Sequence, residues 1–235
     1  MKESGVALIM VLLVTSLVST LALGLAVIVS TNQLAAGNFG DSTAMSYAVD
    51  AGVELAAHDL AQSMDWDLVL SGVETGTLTD GPATGMRNIP AGGSIGLSLE
   101  TNRLNCGRAS ACTASQMNTN SRDRPWGLNN AQWRLFEYGP IAALGSFARP
   151  GHWYLLVWLA DDSRETDDNP LADGTAADRR GRGILRVRSE VYGPRGERRA
   201  VEAELARLCR NEAGADVCGP GIRVQSWQEL RQLVP

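Results

Sequence analysis

Few side chains in this 235-residue chain have the type and spacing that do chemistry. The densest set is a run of oxygen donors: Asp161, Asp162, Asp167, Asp168, Asn169, Asp173 and Asp178. Carboxylates and amides of this kind are the ligands calcium takes. Their spacing departs from an EF-hand loop, which needs acids at alternate positions and a closing glutamate. The expectation for residues 161–178 is therefore a solvated acidic loop, with no metal assigned. The two histidines, His58 and His152, are far apart in the sequence. His58 falls in a helical pattern and is expected at a surface or interface. His152 precedes an apolar run beside Trp153 and is expected to be structural. No Gly-x-Ser-x-Gly, His-Glu-x-x-His or phosphate-cradling glycine loop occurs. No catalytic residue and no cofactor is assigned, and the chain is not expected to be an enzyme.

The four cysteines fall in two close pairs, Cys106 with Cys112 and Cys209 with Cys218. No Cys-x-x-Cys is present, and two histidines are too few for a zinc site with this spacing. Disulfides in an oxidising compartment are expected, with near-neighbour pairing one of the three connectivities that four cysteines allow. Each short loop so closed would stabilise the fold by roughly 2–3 kcal/mol. The alternative is four reduced, buried cysteines in a cytoplasmic domain. Of the six tryptophans, Trp153 and Trp158 read as core. Trp126, Trp133 and Trp227 stand in polar context and are candidates for a partner-docking patch, against the alternative of ordinary partial burial. Net charge is −5, and Arg179, Arg180 and Arg182 sit among aspartates. No nucleic-acid partner is expected from that balance.

The elements that must carry these residues begin with an apolar run. After Met1-Lys2-Glu3-Ser4-Gly5, no charged residue occurs from Val6 to Val29. A helix of that length spans roughly 36 Å, enough to cross a hydrocarbon core of about 30 Å. Lys2 precedes the run, and Asp41, Asp50 and Glu54 follow it, which favours a cytoplasmic N-terminus. A small-x-small site at Gly24-Leu25-Ala26 leaves removal by a signal peptidase open as an alternative. Met45, Val49, Val53, Ala56, Leu60 and Met64 recur at helical spacing and predict a packing face. One helix from Val6 to Met64 would be roughly 88 Å long if straight, a protruding spine that Gly37 and Gly40 could bend.

Beyond the helix, about 170 residues suffice for one globular domain. Ser94 to Leu99 alternates as a half-buried strand does, and residues 101–130 read as a surface loop. Trp153 to Leu159 is continuously apolar, as in a strand buried on both faces. Leu185 to Val191 and Val201 to Leu205 alternate around Gly193-Pro194-Arg195-Gly196, a hairpin with its turn. The predicted fold class is α+β: a long N-terminal helix on a mainly antiparallel sheet. The expected divisions are a leader (1–5), a transmembrane or fibre-core helix (6–29), its amphipathic continuation (30–64) and a globular periplasmic or extracellular domain (65–235).

Gly5 followed at once by the charge-free helix resembles the start of type IV pilin-like proteins. Gly-Val-Ala-Leu-Ile-Met-Val-Leu-Leu at 5–13, Ala-Ala-Gly-Asn at 35–38 and the strands from Ile184 to Leu208 look most like the PilX family of minor pilins. The resemblance covers the first 60 residues well and the rest loosely. It implies cleavage after Gly5 by a prepilin peptidase and an N-methylated Val6. A glycine there lets the backbone extend in a tight cleft; the alternative is a plain signal anchor. It further implies residence in the bacterial inner membrane before assembly, then in a pilus at the cell surface. Its partners there would be other minor pilins, the major pilin and a large tip adhesin. Leu12, Ala22, Gly24 and Ala26 would pack against neighbouring helices. Where most pilins carry a glutamate that pairs with a neighbour's amine, this chain has Met10. A carboxylate in mid-membrane costs roughly 2.5–3.5 kcal/mol unless paired, and a subunit at a fibre tip has no neighbour above it to supply the pair. The resemblance thus points to a tip-located priming complex that initiates pilus assembly. The alternatives are a tip pseudopilin of a type II secretion system, usually larger, and a membrane-anchored periplasmic binding module.

Overall fold

The computed structural model describes residues 4–119, 126–145, 152–165, 167–173, 183–212 and 215–230, with the backbone alone for Ser4 and for 209–220. The chain divides into two compact units, Met1–Ala44 and Met45–Pro235. Helix α1 (Ser4–Gln62) starts in the first and ends in the second without interruption. Gly37 and Gly40 lie inside it as helical residues.

Among the described residues the first unit is helix alone. Its apolar side chains, Val6 through Val29, are exposed all round. Three of the run's four hydroxyls bond back to the helix itself. Thr15 Oγ1 donates to Val11 O at 2.9 Å, Ser19 Oγ to Thr15 O at 2.7 Å and Thr20 Oγ1 to Leu17 O at 2.8 Å. A hydroxyl paired this way can enter an apolar medium without losing its hydrogen bond.

In the second unit the last turns of α1 bury Met45, Val49, Val53, Ala56 and Leu60, the predicted stripe. Met64 falls past the helix end and is 93% exposed. The stripe packs on a five-stranded antiparallel sheet of β3 (Arg134–Pro140), β4 (Tyr154–Asp161), β5 (Ile184–Tyr192), β6 (Arg198–Glu212) and β7 (Ala215–Leu230), in that spatial order. Gly52 marks the closest approach. A Cβ there would stand 2.3 Å from Ser189 Oγ and 2.8 Å from Leu155 Cδ1, so only glycine fits. The helix end is fastened by a second contact. Helix α2 (Trp66–Leu70) begins at Trp66, whose indole donates to Leu60 O at 3.2 Å while Arg207 of β6 lies 3.9 Å over its ring.

The other sheet face carries the hairpin β1 (Met86–Asn88) and β2 (Ser94–Gly96), then helix α3 (Leu97–Cys106). Ile89, Ile95, Leu97, Trp133, Tyr138, Tyr154, Leu156 and Trp158 form the core there. β4 is therefore buried along its whole length, as its apolar run predicts. The predicted strand at 94–99 stops at Gly96, and Leu97 opens α3 instead. The strand-like alternation belongs to a segment whose next apolar contacts follow a helical period. Residues 101–130, expected as loop, include most of α3, the short helix α4 (Ala114–Thr119) and a 3-10 turn, Gly127–Asn129. The fold is α+β.

Candidate functional site

Three regions carry features beyond packing. The first is the apolar part of α1. Gly5 and Val6 lie in its first turns, and Met1 to Glu3 lie outside the described residues. Leu12, Ala22, Gly24 and Ala26 are all exposed, with no atom within 4 Å of a Cβ built on Gly24. Among the described residues this is the one helix long and apolar enough to cross a membrane.

The second region surrounds the tryptophans and cysteines. Trp133 is 7% exposed, sits in the core cluster and is covered by Arg186 at 5.3 Å. It does not belong to an exposed patch. Asn105 draws it inward: its amide donates to Trp133 O at 3.0 Å and accepts from Trp133 N at 2.7 Å. Trp126, 38% exposed, lines a cleft of about 320 Å³ with Arg164, Arg186, Glu202 and Glu204. Trp227, 44% exposed, pairs in register with Ala203, which alternates with those glutamates along β6. The two exposed indoles thus stand on opposite sides of the strand and do not form one docking surface. Cys106 and Cys112 form a disulfide with Cα atoms 5.9 Å apart, closing the loop between α3 and α4. The backbone register sets Cys209 opposite Cys218 on β6 and β7, and their side chains lie outside the described residues. His58 is exposed and pairs with Gln62 at 2.7 Å; His152 is exposed.

The third region is acidic and only partly solvated: Asp168 and Asn169 are exposed, whereas Asp161 and Glu165 are buried. Asp161 ends β4 opposite Leu185, on the face that packs against α1. The chain then turns, with Glu165 N donating to Asp162 O at 3.0 Å. Asp161 is 4% exposed and Glu165 only 2%. Asp173 returns alongside. Its Oδ1 accepts from Gly183 N at 2.6 Å, and its own N–H donates to Asp67 Oδ1 at 2.7 Å. Carboxylate oxygens of Asp161, Glu165 and Asp173 all lie within 4.8 Å of one another. Asp162 is engaged elsewhere, by Arg164 at 2.8 Å. Burial pushes the Asp161 carboxyl up to about 8 and that of Glu165 to about 9, and their acidic neighbours add to both shifts. Glu165 lies within the run, between Asp162 and Asp167, and escapes notice there as one glutamate among aspartates. Its position four residues after Asp161 is the signal that could have found it. Asp178 lies outside the described residues.

Two further charged groups are buried in the sheet. Glu190 on β5 is held between Arg188 and Arg198, at 2.5 Å from each. Glu137 on β3 faces Asp59 of α1. Comparison with protein-family models, curated proteins and solved structures finds no match to this chain.

Proposed function

We propose that this chain is a minor pilin-like subunit of a type IV pilus, held in the bacterial inner membrane until it joins a priming complex at the fibre tip. The observation that carries the reading is the unbroken α1. One helix is apolar and exposed over Val6–Val29 and is built into the antiparallel domain from Met45 onward. Such a helix needs lipid before assembly and neighbouring helices afterwards. Gly24, with alanines at 22 and 26, supplies a low-relief stretch for close helix approach. Met10 supports the tip position: with no carboxylate to pair, insertion is cheaper and no neighbour above is required.

In this reading a prepilin peptidase cuts after Gly5 and Val6 becomes the N-methylated end. The partners are other minor pilins, the major pilin and a large tip adhesin, and the final location is the pilus at the cell surface. The Cys106–Cys112 bond fits a domain that matures in an oxidising compartment. Mass spectrometry and N-terminal sequencing of the membrane-extracted chain test the reading. The expected product begins at N-methylated Val6. Retention of Met1 would instead identify a simple anchor, and a start just beyond Ala26 a secreted soluble protein; either would overturn it.

Leu12→Arg gives a second test. A guanidinium about a quarter of the way into the apolar run costs up to roughly 2.5–3.5 kcal/mol, up to about a hundredfold in the insertion equilibrium. Immunolabelled fibres from cells carrying the variant should lose this subunit. Labelling equal to wild type would count against a fibre-core helix.

A further inference from the structure

We propose that Asp161, Glu165 and Asp173 form a binding site for a hard divalent cation, and that the cation is calcium. The proposal does not depend on the filament reading. The three carboxylates come from a strand end, the turn after it and the segment returning toward β5. Two oxygens each about 2.4 Å from a shared calcium ion lie at most about 4.8 Å apart, and the separations here stay within 4.8 Å.

Proximity of acids alone would not distinguish a ligand site from a repelling cluster. The hydrogen bonding does. Both oxygens of Glu165 and Oδ1 of Asp161 are buried and have no hydrogen-bond partner among the described residues. A buried carboxylate oxygen without a donor is among the costliest arrangements a fold can hold. Ser163 Oγ, between them in sequence, is buried and unpartnered as well. Among the described residues, the charged groups that act on both Asp161 and Glu165 are Asp162, Asp167 and Asp173, all negative. Arg164 leads away from the cluster, to Asp162 at 2.8 Å and Glu204 at 3.4 Å. A cation bound to the Asp161 and Glu165 oxygens would satisfy both carboxyls at once.

The donor set selects the ion. It offers carboxylate oxygens and, among the described residues of the cluster, no imidazole or thiolate, which disfavours zinc and copper. Magnesium demands near-octahedral geometry and keeps most of its water, whereas calcium accepts irregular sets of six to eight oxygens from protein and solvent. Two buried acids and one half-buried acid at the end of a strand suit calcium better. Bound there, the ion would fasten the 162–173 segment to the ends of β4 and β5.

Calorimetric titration of the full chain in detergent micelles with calcium chloride, and in parallel with magnesium chloride, tests the site. One calcium per chain is expected, with magnesium at least about tenfold weaker, and a raised melting temperature at about 5 mM calcium. Glu165→Gln and Asp173→Asn should each weaken calcium binding by about tenfold or more. Without calcium, Glu165→Gln should melt no lower than wild type, because it replaces a buried carboxyl lacking a partner among the described residues with a neutral amide of the same shape. That separates loss of a ligand from loss of the fold. No calcium heat and no thermal shift in the wild-type chain would overturn the proposal, as would calcium binding that both variants leave intact. Equal affinity for magnesium would overturn the choice of ion.

Discussion

Glu190→Ala is expected to lower the unfolding free energy by about 3–5 kcal/mol, the usual effect of deleting one partner of a buried ion pair. Glu190 is fully buried on the sheet face away from α1. Besides Arg188 and Arg198, it accepts a hydrogen bond from the Tyr192 hydroxyl at 2.5 Å. Arg188 pairs with Oε1 of Glu190 and Arg198 with Oε2, and their other acidic neighbours are more distant: Glu202 at 4.0 Å from Arg188 and Glu100 at 3.9 Å from Arg198. Truncation would leave two charged forks and a phenol on a covered face with their shared acceptor gone. Arg198→Met combined with Glu190→Ala should recover part of the loss, since the second change removes one stranded charge. Denaturant unfolding of the full chain in micelles, followed by tryptophan fluorescence, gives the measurement. A change below about 1 kcal/mol would mean that the network contributes little to stability.

Glu137→Gln should act in the opposite direction, and more strongly as pH rises. A bulge between Leu135 and Glu137 turns Glu137 to the helix face, in register with Val157. There it meets Asp59, which accepts from Thr77 N at 2.6 Å. Gly76 allows the covering chain to pass, since a Cβ on it would stand 2.3 Å from Glu137 Cγ. Two facing carboxyls have no donor between them unless one keeps its proton. Burial first, and then the charge and hydrogen bond of Asp59, raise the Glu137 carboxyl to about 9. The unfolded chain releases that proton near 4.5. Between those values the folded state binds more protons than the unfolded state, so stability falls as pH rises, until the slope ends near 9. At pH 7 the loss relative to acid is about 3 kcal/mol. Glutamine keeps the shape and a donor but has no proton to lose. The variant should match wild type near pH 4.5 and exceed it by about 3 kcal/mol at pH 7. Asp161 and Glu165 contribute slopes of the same sign, so the wild-type trend is reduced in the variant and not abolished. Identical stability profiles for the two proteins would show that Glu137 does not hold its proton in the fold.

The parts of this fold that were legible in the sequence are those whose pattern is set by one face and one period. The Met45–Leu60 stripe is a single helical face, and β4 is a single apolar run. The β5–β6 hairpin has strict alternation and a Gly-Pro-Arg-Gly turn. Each can be read without knowing its neighbours. Helix α3 could not be, because Ser94 to Leu99 satisfies a strand pattern until Gly96 and only the packing of Leu97 against the sheet decides the change. β7 carries Val224 and Trp227 on an edge, too exposed to give a clean alternation. The burial of Glu137, Glu165 and Asp161 was hidden for a related reason. Carboxylates are ordinarily a surface signal, and what surrounds these comes from distant segments: Asp59, Gly76 and Thr77 at Glu137, and Asp173, itself held by Asp67 and Gly183, at the other two. Trp133 looked exposed because its sequence neighbours are polar, whereas the core side chains and Arg186 that bury its ring come from distant segments.

The sheet order β3-β4-β5-β6-β7 repeats the order of the chain. Each strand, as it is delivered, finds its partner already in place, separated by one connection. Pairing strands that are neighbours in the chain costs less closure entropy than distant pairing and keeps the mean separation of contacts low. A chain that arrives N-terminus first, helix before sheet, can therefore build this domain progressively and need not wait for its last strand. Little apolar strand surface is left uncovered meanwhile, which limits the time in which unfolded neighbours can capture one another.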